Sequence, residues 1–264
     1  MKMKEAVDLS VFSMVMCGLL LLVPVLVANY LKLGVTRNLL ISTLRMVVQL
    51  VLIGFFLGFL FELNNVFVNI AWFLVMIIAA VLSVINNSGL KIKLFVAPVF
   101  LSLFIANLLV VLYFNFFIVR LDFIFDARYM IAIGGMVLGN SLRSNVVGLG
   151  DFYKALQREE PLYFYKLSLG ATPFEAMLPF VKKSFTAALN PTIATMATMG
   201  IVSLPGMMTG QILGGSVPLV AIKYQIAIMV AILASTVLSI ALSILFTVRF
   251  SFNEAGILRK EIFK

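Results

Sequence analysis

The chain has 264 residues, of which 62% are hydrophobic and only 12% are charged, and its mean hydropathy is +1.13. Soluble domains carry about 25% charged residues, so this composition excludes an ordinary soluble protein and predicts an integral membrane protein. The net charge of +9 is explained by basic loops at an anionic bilayer surface, with no need for a nucleic-acid partner. The chain has no histidine and a single cysteine, which excludes an intramolecular disulfide.

Apolar runs that are long enough to cross a bilayer recur along the whole chain. A hydrocarbon core about 30 Å thick needs about 20 helical residues. In chain order, the predicted spans are residues 9–31, 38–61, 63–90, 94–119, 129–150, 187–204 and 224–248. We therefore predict an all-α integral membrane protein with about seven transmembrane helices, forming a single domain over residues 1–264.

The lysines and arginines indicate the orientation of these spans. With seven spans, most of the basic residues lie in connections on one side, which also holds the longest polar segment, 151–183, and the C-terminal tail. Short cytoplasmic loops retain an excess of lysine and arginine. We therefore expect the N-terminus outside, the C-terminus inside and residues 151–183 in the cytoplasm.

The second span carries a polar face. Ser42, Arg45 and Gln49 are spaced three and four residues apart, so they share one side of the helix. A charge at the centre of a span costs about 2.5–3.5 kcal/mol or more. Arg45 is therefore expected either to snorkel to lipid phosphates or to contact the elbow segment or an anionic part of the substrate. Arg45 and Gln49 are candidate pathway residues.

The fifth span is polar on two faces. Asn140 and Ser144 share one face, whereas Ser141 and Asn145 share another. Two interpretations stay open, because such residues either line a vestibule on the cytoplasmic side or join neighbouring helices by hydrogen bonds. Asn140, Ser141 and Asn145 are candidate pathway residues.

The sixth span carries a stripe formed by Thr192, Thr195, Met196 and Met199. Methionine thioethers suit soft metals, but methionine in a membrane helix is also common packing material. These four residues are candidates for substrate contact. No carboxylate lies at the centre of any predicted span, so no metal site is assigned.

The segment 151–183 contains the signals of a helix–glycine–helix elbow. Gly170 suits the left-handed position after a short helix. Thr172 as N-cap, Pro173 as first residue and Glu175 three positions after Thr172 predict a second helix with a capping box. Aromatic residues in this segment indicate either an anchor at the lipid interface or a docking surface for a cytosolic partner.

Residues 205–218 combine an apolar setting with helix-breaking residues. Where the backbone is not helical at membrane depth, its N–H and C=O groups must form hydrogen bonds with other parts of the protein or with water. We therefore expect either a re-entrant element at the outer ends of the last two spans or an ordinary outer loop. The candidate outer gate residues are Pro205, Gly206, Met207, Met208, Gly210, Gln211 and Gly214.

Several strings occur in a characteristic order along the chain. These are the SxxRxxxQL pattern at 42–50, GNS at 139–141, LGATPFEA at 169–176, ALNPTI at 188–193 and SLPGMMTGQILGG at 203–215. Together they resemble the FetB-type (YbbM-like) ABC transporter permeases, a family related to bacterial iron exporters and plant aluminium-tolerance permeases. The resemblance covers residues 42–245, and its longest string is highly specific.

The resemblance implies a permease subunit in the bacterial inner membrane. Such a subunit would form a homodimer and pair with a cytosolic ABC ATPase. It would export metal ions, and iron is the main expected cargo. The elbow residues that would couple it to the ATPase are Leu169, Gly170, Ala171, Thr172, Pro173 and Glu175.

The sequence has no phosphate-binding loop of the GxxxxGK[S/T] type, so ATP and Mg²⁺ are expected on the partner, and this chain is expected to be neither an enzyme nor a cofactor-binding protein. Two alternatives stay open. The chain would be an ABC permease for a solute other than a metal, or a self-contained secondary transporter or channel. The latter would need coupling carboxylates or an inverted repeat.

Overall fold

The computed structural model describes residues 8–253 and 256–263, which form helices and no β-strand. In chain order, the α-helices are α1 (Val11–Leu19), α2 (Leu22–Tyr30), α3 (Thr36–Leu63), α4 (Val66–Ser88), α5 (Ile92–Tyr113), α6 (Ala127–Arg158), α7 (Glu160–Ser168), α8 (Pro173–Thr198), α9 (Gly206–Leu213) and α10 (Pro218–Ser251). A π-helical turn, Phe114–Val119, extends α5, and a 3-10 turn covers Lys260–Ile262. The predicted all-α class is confirmed for the described residues.

Five helical segments within the described ranges are long and apolar enough to cross a membrane. They are Val11–Tyr30, Thr36–Leu63, Val66–Ser88, Ile92–Val119 and Pro218–Ser251. The other two predicted spans correspond to α6 and α8, which have 32 and 26 residues but carry many of the polar side chains. The total of seven spans therefore stays a prediction that depends on these two helices.

Helix α8 differs from its predicted form. It runs without interruption from Pro173, in the elbow, to Thr198, so the elbow helix and the sixth span are one element. The helix ends before the predicted boundary at residue 204, because Gly200 adopts a positive φ of 87° and its N–H donates to the carbonyl oxygen of Ser203. The stripe of the sixth span thus lies on a helix that is continuous with the segment 151–183.

The segment 205–218 contains more regular structure than its glycines predict. Gly206 and Gly210 were expected to break any helix, and this expectation was wrong, because both lie within α9. Pro205 provides the N-cap and Met208 is buried. A glycine in a helix costs about 1 kcal/mol of stability relative to alanine. Backbone N–H and C=O groups without hydrogen bonds in an apolar environment cost more, so forming the helix is favourable here.

The core is formed where α4, α5, α6, α8 and α10 pack together. Glycines on α6 permit the closest approaches. A Cβ atom at Gly134 would lie 2.9 Å from the Phe73 ring, and one at Gly148 would lie 3.3 Å from Ile240 and 3.4 Å from Ala188. Helix α6 is therefore the central element, in contact with α4 on one side and with α8 and α10 on the other.

The first three helices are only loosely attached to this core. In the most apolar windows of Val11–Tyr30 and Thr36–Leu63, only 6% of the residues are buried, compared with 39–50% for the other three spans. Helix α3 contacts the core through Leu60, which packs near Ala127 and Ile131. Most of the surface of α1–α3 is thus free to contact lipid or another chain.

Hydrogen bonds join the connecting segments at each end of the bundle. At one end, Asn69 donates to the carbonyl oxygen of Phe125 at 2.9 Å, which ties the start of α4 to the loop before α6. At the other end, the N–H of Lys91 donates to the carbonyl oxygen of Ile262 at 2.8 Å, and Tyr163 of α7 packs on Phe252. The α4–α5 turn, α7 and the tail therefore share one end.

Candidate functional site

A cavity of ≈450 Å³ lies between α6, α8, α9, α10 and the 199–205 connection. Its walls come from segments that are distant in sequence. The lining residues are Met136, Asn140, Arg143, Ser144, Val147, Ala188, Pro191, Thr192, Thr195, Met199, Ser203, Pro205, Gly206, Met207, Gln225, Ile228, Met229 and Ile232.

This cavity brings together two groups of residues that the sequence analysis had listed separately. The candidate pathway residues on its walls are Asn140, Thr192, Thr195 and Met199. The candidate gate residues on its walls are Pro205, Gly206 and Met207. The start of the 205–218 element therefore forms part of the cavity wall and is not remote from the pathway candidates.

The remaining pathway candidates lie elsewhere. Arg45 and Gln49 are exposed on α3, and Gln49 lines a shallow groove against α4. Met196 is exposed on α8 and does not line the cavity, although Thr195 and Met199 do. The stripe predicted on the sixth span is therefore divided, with Met196 on its outer edge.

The remaining gate candidates, Met208, Gly210, Gln211 and Gly214, do not line the cavity. Met208 is buried, whereas Gly210 and Gly214 are exposed. The side-chain oxygen of Gln211 is buried and has no hydrogen-bond partner among the described residues. Only the first turn of α9 contributes to the cavity.

Ser141 and Asn145 are fully buried between α6 and α10. Asn145 Nδ2 donates to Ser239 Oγ at 2.8 Å, and the hydroxyls of Ser141 and Ser235 are 3.1 Å apart. The hydrogen-bonding interpretation of the fifth span therefore applies to the face of Ser141 and Asn145. Asn140 and Ser144 line the cavity, whereas Ser141 and Asn145 join two helices.

The chemistry of the cavity wall is neutral apart from one cation. Arg143 is its charged residue, and none of the described lining residues is Asp, Glu or Cys. Four methionines, Met136, Met199, Met207 and Met229, provide polarizable apolar surface. Within the described ranges, no cluster of three or more metal-ligating Cys, Asp or Glu residues occurs.

Gln225 is one of three buried polar residues of this cavity, with Ser144 and Thr192. Its side chain is only 6% exposed, and its amide nitrogen lies 3.9 Å from the sulfur of Met199. Its Oε1 atom has no hydrogen-bond partner among the described residues. A buried carbonyl oxygen without a donor is destabilising, so this side chain lowers the stability of the fold at this position.

The sequence analysis did not select several lining residues, including Arg143, Gln225 and Met229. Helical spacing contains a signal for them. Met136, Asn140 and Arg143 follow one another at intervals of four and three residues, and Gln225 and Met229 are four apart. These intervals identify a shared face but not the helix that the face contacts.

The elbow lies at the end of the bundle that also holds the C-terminal tail. Gly170 has a φ of 88°, and the predicted capping box is present on Thr172 and Glu175. The Thr172 N–H donates to Glu175 Oε2 at 2.8 Å, and the Glu175 N–H donates to Thr172 Oγ1 at 3.3 Å. These bonds hold the first turn of α8 against the turn at Gly170.

A hydrogen bond from the Thr172 N–H lowers the pKa of Glu175 below its ordinary value, and a bond from the Thr172 hydroxyl adds a smaller effect in the same direction. The folded pKa is therefore lower than the unfolded pKa. The contribution of the Glu175 carboxylate to the stability of the fold is fully present above the unfolded pKa. It is lost as the pH falls through the folded pKa. The capping box is consequently intact at neutral pH.

The elbow exposes apolar side chains at its tip. Leu169 and Phe174 are 70% and 63% exposed, and Tyr165 is also exposed. By contrast, Tyr163 is buried against Phe252 and anchors α7 to the bundle. The elbow is thus fixed at its base and presents an apolar tip.

Comparison with known proteins places the chain in a family. Residues 11–252 match the uncharacterised protein family UPF0014. The chain belongs to UPF0014. No solved structure shows significant similarity to it.

Three relatives each match most of the chain. The chain is 31% identical to the UPF0014 membrane protein YjkA of Bacillus subtilis over 82% of its own length and 85% of the relative. It is 31% identical to the probable iron export permease protein FetB of Escherichia coli, covering 82% of each chain. It is 33% identical to the protein ALUMINUM SENSITIVE 3 of Arabidopsis thaliana, over 79% of this chain and 75% of that one. These relatives confirm the family that the sequence motifs resemble, and this UPF0014 member is an integral membrane protein.

Proposed function

We propose that this UPF0014 protein is the permease subunit of an ABC exporter in the bacterial inner membrane. It spans the membrane seven times, with its N-terminus outside and its C-terminus in the cytoplasm. A separate cytosolic ATPase binds ATP and Mg²⁺ and docks on the elbow. The cargo passes through the cavity between α6, α8, α9 and α10.

The observation that carries this proposal is the continuity of α8. Its first turn forms the elbow with Thr172 and Glu175, and its other half contributes Ala188, Thr192 and Thr195 to the cavity wall. The path from Thr172 to Thr192 is about 30 Å at 1.5 Å per residue. Pro179 and Pro191 lie within this stretch, but the helix continues through both. A displacement of the elbow by an ATPase would therefore reach the cavity wall along a single helix.

The elbow has the properties of a protein-docking surface. Exposed Leu169 and Phe174 flank a turn whose geometry is held by Gly170 and by the capping box. Apolar and aromatic anchors on a rigid support are typical of the centre of a protein interface. An anchor in the lipid interface would instead be expected to carry its aromatic groups on a surface in the plane of the membrane.

The start of α9 is the candidate outer gate, because Pro205, Gly206 and Met207 close one wall of the cavity. Two copies of the chain are proposed to form the transporter. The loosely attached helices α1–α3 provide apolar surface for that contact as well as for lipid.

Metal ions, and iron in particular, are the proposed cargo. This part of the proposal comes from the probable iron export permease FetB and from ALUMINUM SENSITIVE 3, whose names refer to iron and aluminium. Both relatives cover more than three quarters of this chain. A solute other than a metal is the main alternative cargo.

Replacing both Leu169 and Phe174 with alanine tests the docking of the ATPase. Loss of the two apolar anchors is expected to reduce co-purification with the cognate ATPase at least about tenfold, since buried interface anchors contribute about 2 kcal/mol or more each. Phe67→Ala is the matched control, because Phe67 is 82% exposed at the other end of the bundle. Unchanged co-purification of the double variant would contradict the docking role of the elbow.

A further inference from the structure

Arg143 lies level with the middle of a membrane-spanning helix. Two residues before it on α6, the hydroxyl of Ser141 is 3.1 Å from the hydroxyl of Ser235 on α10. Ser235 lies beside the midpoint of the uncharged stretch of α10, residues 224–248. Arg143 is exposed and forms no ion pair in the described part of the chain. A charged residue at this depth almost always faces protein or water, and lipid is the unfavourable neighbour.

Asn190 on α8 is a second polar residue that is exposed at membrane depth. A Cβ atom at Gly148 would lie 3.4 Å from Ala188 and 3.3 Å from Ile240, so these three residues share one level. Ile240 lies about four residues, or about 6 Å, from the midpoint of the uncharged stretch of α10. Asn190 follows Ala188 by two residues, and its amide has no hydrogen-bond partner among the described residues. At this depth an asparagine amide is expected to bond to another helix.

Asn190 belongs to one side of α8 that carries only small or polar side chains. We call this side the small-residue face, and its exposed members, three or four positions apart, are Asn190, Ala194, Ala197 and Thr198. The Thr198 hydroxyl donates to the carbonyl oxygen of Ala194 at 3.1 Å, so the Asn190 amide is the group that lacks a partner. By contrast, the exposed surface of α3 carries large apolar side chains, such as Leu44 and Val51. The surface of α3 is typical of contact with lipid, and the small-residue face is typical of contact between helices.

The cavity opens beside the small-residue face. Four of its lining residues are exposed, namely Arg143 and Val147 on α6 and Pro191 and Thr195 on α8. Pro191 and Thr195 each directly follow a member of the small-residue face in the sequence. An opening that exposes a guanidinium group at the middle of the membrane is not compatible with hydrocarbon chains. The opening is therefore expected to be covered by protein.

We propose that the small-residue face contacts the same face of a second copy of the chain, and that the second copy closes the open side of the cavity. Contact through identical patches is the usual arrangement of two identical chains. It brings the two Asn190 amides within reach of each other and leaves Arg143 facing water between the two chains. This inference rests on the proposed dimer. It assigns the contact to α8 and leaves the large apolar side chains of α1–α3 to lipid.

Helix α3 provides the competing surface, because Arg45 and Gln49 are exposed on it. Arg45 lies in the first third of α3 (Thr36–Leu63), so its long side chain reaches towards the lipid phosphates. Gln49 lies at the middle of the helix and has no such route. Position 49 is therefore the one on α3 at which a contact between two copies is best tested.

Oxidative cross-linking of single-cysteine variants in native membranes tests the contact. Cys17 is the chain's single cysteine, so Cys17→Ser provides the background. Ala194→Cys is expected to give several-fold more disulfide-linked dimer than Gln49→Cys, because a disulfide needs Cα atoms within about 7 Å. Ile193→Cys is the matched control, since Ile193 is 52% exposed but lies on another side of α8.

Replacing Asn190 tests the expected hydrogen bond between the two copies. Asn190→Leu is expected to lower the dimer fraction several-fold in dilute detergent, measured by mass photometry, because a bond between helices is lost. Asn190→Gln keeps the amide and should retain most of the dimer. Asn38→Leu is the matched control, because Asn38 is exposed on α3 and should have no effect.

Labelling with a water-soluble anionic methanethiosulfonate tests whether the opening faces water. Thr195→Cys is expected to react, because the thiolate that attacks the reagent forms only in contact with water. Val51→Cys is the control, since Val51 is 55% exposed on the apolar surface of α3 and is expected to stay unlabelled. Both variants carry the Cys17→Ser background.

Three results would overturn the inference. They are cross-linking through Gln49→Cys but not through Ala194→Cys, equal cross-linking by Ala194→Cys and Ile193→Cys, and no labelling of Thr195→Cys. If Asn190→Leu does not give a folded protein by size exclusion, the cross-linking result decides alone. A chain that is monomeric in nanodiscs would contradict the proposed dimer and this inference with it. A dimer linked through α8 whose chains do not stimulate an ATPase would contradict the ABC assignment and leave this contact intact.

Discussion

At the scale of single residues, two asparagines on α6 have different roles although they are five positions apart. Asn140 lies on the cavity wall, and its side-chain N–H donates to the carbonyl oxygen of Met136 at 2.8 Å. Asn145 is fully buried and donates to Ser239 on α10. The first residue is therefore expected to act on cargo, and the second is expected to act on stability.

Replacing Asn145 with alanine should destabilise the protein by about 0.6 kcal/mol, the average for hydrogen bonds between membrane helices, and by about 1.7 kcal/mol at most. Thermal unfolding of the detergent-solubilised chain would show this as a lower midpoint. Asn140→Ala is the comparison variant and is expected to change cargo binding with little effect on unfolding. Equal effects of the two substitutions on the midpoint would show that the two faces of α6 are not distinct.

At the scale of elements, Gly170 is the residue on which the elbow depends most. Its φ of 88° lies in the left-handed region, and a Cβ atom added there would meet no other atom within 4 Å. The cost of a substitution is therefore conformational and not steric. A β-branched residue is the least able to adopt this backbone conformation.

Gly170→Val is therefore expected to disturb the turn between α7 and α8 and to reduce ATPase docking several-fold, while Gly170→Asn should retain most of it. Gly58→Val on α3 is the control, because Gly58 has no close neighbours and an ordinary φ. Co-purification with the ATPase measures the effect. Full docking by Gly170→Val would mean that the turn geometry is not required.

Local signals explain which elements were predictable from the sequence. The capping box at Thr172 and Glu175 was predicted because caps depend on residues within one helical turn. The helix α9 was missed because two glycines lower helix propensity, whereas burial of Met208 and the need to pair backbone groups act in the opposite direction. Burial and backbone pairing depend on the tertiary structure, so the local sequence contains no signal for them.

At the scale of the whole molecule, the cavity was predictable only in part. Residue spacing identified the helix face that carries Asn140 and the face that carries Thr192 and Thr195, because each face is defined within a single helix. That these faces meet Gln225 on α10, and that Arg45 stays outside, depends on how distant helices pack. Sequence periodicity contains no information on such pairings.

Transport by the reconstituted pair tests the central claim of ATP-driven export through this chain. The measurement is accumulation of radioactive iron, supplied with citrate, in inside-out proteoliposomes that contain the chain with its cognate ATPase. We predict accumulation that requires external ATP and Mg²⁺ and that is lost in the Leu169→Ala, Phe174→Ala double variant. No accumulation, or accumulation by the chain alone without the ATPase and ATP, would contradict the account.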